Sequence, residues 1–126
     1  MTYLEKWFDY NRHQKEMEAL LEETIAQQSE QRLTLKEFYL LYYLDLADEK
    51  SLRQIDLPDK LHLSPSAVSR MVARLEEKNC GLLSRRCCDQ DRRASFICLT
   101  DEGQTALSYL QKAVEERLET SLDFIS

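Results

Sequence analysis

The sequence predicts a mainly α-helical chain with a small β-wing, a winged helix-turn-helix flanked by N- and C-terminal helices. Three observations lead there. A capped amphipathic helix begins at Ser64, an arginine-rich hairpin spans 83–99 behind it, and long apolar stripes at helical spacing lie on both sides. With only two glycines and two prolines in 126 residues, breaks are few. A content of 43% apolar and 32% charged residues is that of an ordinary single domain. The expected organisation is an N-terminal helix over 1–32, the winged helix-turn-helix over 33–99 and a C-terminal helix over 100–126.

Residues 2–29 read as one long helix whose stripe is Leu4, Trp7, Phe8, Met17, Leu21 and Ile25, interrupted by polar 11–16. A joint at 28–32 follows. Thr34 and Glu37 form a capping box, and Leu33 with Phe38 a hydrophobic staple, so a second helix is predicted over 35–46. After a joint at 47–50, Ser51 and Gln54 make a weaker box for a short third helix. Ser64 is placed to accept from a first-turn N–H, and Pro65 stands where a missing N–H costs nothing. Leu63 and Val68 occupy the staple positions, and Val68, Met71, Val72 and Leu75 form the stripe to be buried. The opposite face presents Ser66, Ser69, Arg70 and Ala73, with Arg74 on its flank. Small residues beside arginines let a helix approach a major-groove floor, where arginine pairs with guanine and hydroxyls reach bases or phosphates. A merely solvated face would carry the same residues, so the helix alone leaves both readings open.

The hairpin decides between them. Arg85, Arg86, Arg92 and Arg93 bracket the polar turn Asp89, Gln90 and Asp91, while Leu83, Ile97 and Leu99 keep period-two spacing. A short basic ribbon beside a capped helix is hard to explain as core. Its tip suits a minor groove, whose negative potential draws an inserted arginine. Asp91, two residues before Arg93, is close enough in a tight turn to hold that guanidinium.

The segment 33–103 resembles the MarR family of bacterial transcriptional regulators. That family carries a recognition helix of the form S-x-S-x-V-[ST]-R, a wing of the form D-x-R and then L-T-x-x-G. Here these are Ser64, Ser66, Val68, Ser69 and Arg70, then Asp91 and Arg93, then Leu99, Thr100 and Gly103. The resemblance implies a homodimer built by the terminal helices. Three departures stand out. Leu57 is followed by Pro58 where alanine is usual, so a helix break or restart is expected there; Asn79, Cys80 and Gly81 replace a single glycine; and the sequence stops at Ser126, earlier than most members, so that a last short helix is expected to be missing.

A net charge of −6 argues against a nucleic-acid partner until its distribution is read. Residues 64–93 hold seven Lys/Arg against four Asp/Glu, whereas the rest holds ten against nineteen. Basic charge is concentrated on the helix and wing, and acidic charge elsewhere repels DNA from the wrong faces. The last helix, capped by Thr100, carries Leu107, Leu110, Val114, Leu118, Leu122 and Ile125, a stripe suited to a partner helix or to its own domain.

Cys80, Cys87, Cys88 and Cys98 fall within nineteen residues but include no C-x-x-C, so a zinc site is a weak reading and no metal is expected. Redox sensing is the stronger alternative for Cys80, Cys87 and Cys88, because neighbouring arginines lower a thiol's pKa. The plainest reading is reduced cysteines filling space. Trp7, Phe8, Tyr10, Phe38, Tyr39, Tyr42 and Tyr43, with Arg12 and His13 as anion anchors, are a candidate pocket for a small-molecule effector. Core or dimer contact is the alternative. No apolar run approaches the roughly 20 residues that span a bilayer, and the first residues lack signal-peptide order, so a cytoplasmic chain without a membrane partner is expected. No phosphate-binding glycine loop, paired apolar carboxylates or Ser/His/Asp set points to catalysis, and no cofactor is expected. The expected function is a homodimeric regulator, a repressor, that grips double-stranded DNA through Ser64, Ser66, Ser69, Arg70 and Arg74 in the major groove and the wing arginines beside it. The alternative is a winged-helix protein-interaction adaptor without DNA binding.

Overall fold

The computed structural model describes residues 1–77, 80–88 and 91–121, with side chains described except at 86–88 and 91–94. Its order is α1 (Tyr3–Gln28), α2 (Leu35–Leu46), β1 (Ser51–Arg53), α3 (Leu57–Leu61), α4 (Pro65–Glu76), β2 (Leu83–Cys88), β3 (Asp91–Leu99) and α5 (Asp101–Ser121). The mainly helical chain with a small sheet is thus the winged helix-turn-helix that the sequence predicts. Two compact units divide it, Met1–Leu35 with Leu110–Ser126, and Lys36–Tyr109.

In the first unit, the Thr2 side chain accepts from Glu5 N at 3.1 Å and starts α1 one residue later than the cap. Leu21, Ile25, Leu33, Leu35, Leu110 and Val114 are buried. The upper stripe of α1 is not. Leu4, Trp7 and Phe8 are 64%, 58% and 64% exposed in the single chain. Arg117 Nε donates to Thr24 Oγ1 at 3.3 Å, and Leu118 is half-buried. Leu122 and Ile125 lie outside the described residues.

In the second unit, Leu40, Leu41, Leu44, Leu57, Leu61, Val68, Val72, Leu75, Leu82 and Ile97 form the core. Ser51 does not cap a helix. It opens β1, an antiparallel partner of β3 with Ser51 opposite Cys98 and Arg53 opposite Phe96, giving a sheet in the order β1-β3-β2. A 3-10 turn over Gln54–Asp56 follows, and α3 starts at Leu57 with Pro58 in its first turn. The expected restart at Pro58 is therefore there, for the expected reason. A proline deeper in the helix would displace a hydrogen bond and clash with the preceding turn. His62 ends α3 in the left-handed conformation (φ 54°, ψ 47°), and α4 begins three residues on.

The L-T-x-x-G segment joins wing to helix by hydrogen bonds. Thr100 Oγ1 accepts from Gly103 N at 3.0 Å, capping α5, and donates to Gly81 O at 2.6 Å. A Cβ at Gly103 would run into the backbone carbonyl oxygen of Leu82, which cannot swing aside. Gly103→Ala is therefore expected to destabilise the chain by about 1–3 kcal/mol despite alanine's better helix propensity. Thermal denaturation checks this, and an unchanged or raised midpoint would contradict it.

Candidate nucleic-acid interface

The start of α4 follows from its cap. Ser64 is extended (φ −71°, ψ 155°), its Oγ accepts from Ala67 N at 3.1 Å, and Pro65 takes the first helical position. Burial of Val68, Val72 and Leu75, with Met71 half-buried, then decides which way the helix turns. Ser66, Ser69, Arg70, Ala73 and Arg74 are consequently all exposed, on the face the sequence assigned to them. Ser64 Oγ and Ser66 Oγ lie 3.2 Å apart at its N-terminal end.

The arginines around this face differ in their commitments. Arg70 is exposed and makes no hydrogen bond or ion pair among the described residues. Arg74 Nη1 donates to Glu37 Oε2 at 2.8 Å; the Glu37 side chain is 4% exposed and that of Arg74 42%. A carboxylate so deep requires a cation, so Arg74 is an anchor for α4 against α2 as well as part of the surface. Arg85, at the base of the wing, gives its Nε to Glu76 Oε1 at 2.8 Å and its Nη1 to Gln54 Oε1 at 3.2 Å. Gln54 Nε2 in turn donates to Ser69 Oγ at 3.1 Å. Gln54, Ser69 and Arg85 border a cleft of about 440 Å³ between the 3-10 turn, the start of α4 and the wing. The side chains of Arg86, Asp91, Arg92 and Arg93 lie outside the described residues.

Sequence reading missed Gln54, Glu37 and Glu76. The sequence offers Gln54 and Glu37 each as a local capping partner, and nothing in the chain announces bonds to residues 15 to 37 positions away.

The remaining candidates are distributed more widely. Trp7, Phe8, Arg12 and His13 belong to the first unit, and Phe38, Tyr39 and Tyr42 to the second. Arg12 pairs with Asp9 at 2.7 Å, and His13 lies 3.6 Å from the same carboxylate and 3.9 Å from Glu16. Both anion anchors are thus set among acids. The thiol of Cys80 departs from the redox reading, in which neighbouring arginines lower it. Burial pushes it above its ordinary value; Arg74 pulls it down, and Glu37 and Glu77 push it up again. Cys98 is buried, and the Cys87 and Cys88 side chains lie outside the described residues. With a raised folded-state pKa, Cys80 stays protonated at neutral pH. Its alkylation by iodoacetamide, followed by peptide mass spectrometry, is expected to be slower in the native chain than in urea; equal or faster native labelling would contradict this. Among the described residues no three His, Cys, Asp or Glu side chains cluster to hold a metal ion, and no helix is long and apolar enough to cross a membrane.

Comparison with known proteins places this geometry. The model of the MarR family matches residues 33–95. The uncharacterised HTH-type transcriptional regulator YdgJ of Bacillus subtilis (strain 168) is 36% identical over 98 residues, which are 78% of this chain and 54% of that protein. The HTH-type transcriptional repressor MdtR of the same organism is 33% identical over 81 residues, 64% of this chain and 50% of that one. The chain thus spans about half the length of these two relatives. Among solved structures, Sco3205, a MarR family transcriptional regulator from Streptomyces coelicolor in complex with DNA, aligns with a TM-score of 0.83 at 27% identity, covering 96% of this chain and 75% of that chain. AbsC, a MarR family transcriptional regulator from the same organism, shares the fold with a TM-score of 0.86 at 22% identity, covering 100% of this chain and 83% of that chain.

Proposed function

The chain belongs to the MarR family, and we propose that it is a sequence-specific DNA-binding transcriptional regulator, a repressor that holds a pseudo-palindromic operator as a homodimer. The observation that carries this reading is the exposed face of α4, where Ser64, Ser66, Ser69 and an uncommitted Arg70 stand together on a helix locked by its cap and its buried stripe. Likeness to a relative crystallised with DNA supports it. In this reading Arg70 pairs with a base edge, the serines contact bases or phosphates, and Arg74, half committed to Glu37, contributes at the flank. Arg85, Arg86, Arg92 and Arg93 supply the wing's charge, with Arg93 in the minor groove and Asp91 supporting it.

Release by a small effector is part of the proposal, motivated by the aromatic-rich segments that the sequence carries at 7–10 and 38–43. Thiol oxidation is the weaker trigger, because the surroundings of Cys80 keep it protonated. Such a regulator acts in the cytoplasm, where its DNA is.

The test is a gel shift with duplexes from the DNA upstream of its own gene. The parent is expected to retard one duplex selectively, and Arg70→Ala to weaken that complex by about 1–3 kcal/mol with the fold intact. Absence of any retarded duplex would favour the adaptor reading instead.

A further inference from the structure

The hydrogen bonds behind α4 have a direction, and the direction has a consequence for what the helix reads. Arginine has donors and no acceptor, so the amide group of Gln54 that faces Arg85 must be its oxygen. The NH₂ of Gln54 therefore faces Ser69 and donates to its hydroxyl oxygen. Arg85 is itself held by Glu76, which prevents the amide from flipping by fixing the donor that selects its orientation. The Ser69 hydroxyl, accepting on one side, keeps its single proton. Some helical hydroxyls spend that proton on the carbonyl one turn back, as Thr24 does to Leu20 O at 2.8 Å and Thr105 to Asp101 O at 3.0 Å. Ser69 makes no such bond among the described residues, and it is exposed.

We propose that Gln54 is a specificity-determining positioning residue, whose amide, oriented by the Glu76–Arg85 pair, polarises Ser69 into an outward hydrogen-bond donor that prefers an acceptor on a base edge. This rests on the DNA-binding reading above. The acceptors available in a major groove are the N7 and O6 of guanine, the N7 of adenine and the O4 of thymine, whereas the amines of adenine and cytosine are donors. Gln54 touches no DNA in this scheme; it acts through Ser69.

Substitution at Gln54 separates this role from a structural one. In Gln54→Glu, a carboxylate still accepts from Arg85 but also accepts from Ser69, so the hydroxyl proton turns inward and its lone pairs face outward. In Gln54→Ala the hydroxyl rotates freely. The measurement is fluorescence anisotropy of the full chain on a panel of operator duplexes, each with one base pair replaced, compared between Ser69→Ala and the parent to locate the position Ser69 reads. At that position the parent is expected to prefer an acceptor edge roughly threefold to tenfold. Gln54→Ala should flatten this preference and Gln54→Glu should invert it, while preferences at other positions keep their order. In a Ser69→Ala background neither Gln54 substitution should alter the preference there. A parent that binds no duplex selectively overturns the DNA-binding reading, and this inference with it. A parent that binds selectively but shows no position sensitive to Ser69→Ala, or keeps its preference in Gln54→Glu, overturns the inference alone.

Discussion

Leu75→Ala is expected to lower the free energy of unfolding by about 2–5 kcal/mol, a large part of the roughly 5–15 kcal/mol that holds a domain of this kind together. Leu75 is fully buried at the end of the α4 stripe, and its carbonyl accepts from Leu82 N at 3.0 Å, where the chain turns into the wing. Truncation leaves a cavity at the point where helix and sheet meet. Loss of α4 packing removes the platform for Ser66, Ser69 and Arg70 at the same time. Ala73→Ser, on the exposed face of the same helix, should change stability by no more than about 0.5 kcal/mol. Urea denaturation of both variants checks the contrast, and a Leu75→Ala loss below about 1 kcal/mol would contradict the packing described.

The double substitution Trp7→Ala with Phe8→Ala is expected to convert the chain from dimer to monomer while leaving the fold of each protomer intact. Leu4, Trp7 and Phe8 sit at helical spacing on α1 and are more than half exposed in the single chain. Large apolar side chains exposed together on one helix are a surface suited to a partner, and buried tryptophans at interfaces commonly cost about 2 kcal/mol or more when truncated. Two recognition helices must lie about 34 Å apart to read successive major grooves, so loss of the dimer should also abolish tight operator binding. Analytical ultracentrifugation at tens of micromolar decides it. A monomeric parent, or a double variant that still dimerises, would remove the proposed interface.

What was legible in the sequence was what local chemistry determines. The cap at Ser64, Pro65 at the helix start and the stripe Val68, Val72, Leu75 together dictate both the limits of α4 and the face it exposes. Thr100 announced the start of α5 in the same way. β1 was not legible, because three residues acquire strand structure only by pairing with β3, and Ser51 carries an equally good local signal for a cap. Side-chain partners across the fold were illegible for a related reason. Glu37 and Gln54 each have a plausible local role, and only the packing of α2, α4 and the wing brings Arg74 and Arg85 to them. The thiol of Cys80 reversed its expected shift because proximity to arginine in the sequence says nothing of burial or of the nearby Glu37 and Glu77 carboxylates.

If this face of the molecule grips a charged duplex, operator binding must weaken steeply with salt, as anisotropy measured from low to physiological salt will read. Each phosphate neutralised by Lys or Arg should contribute about −0.9 to the slope of log affinity against log salt. The expected result is a straight line with a slope of several such contributions, and a shallower one when wing arginines such as Arg92 and Arg93 are replaced by alanine. A slope near zero, or one unmoved by those replacements, would mean that this face does not grip the phosphates of a duplex.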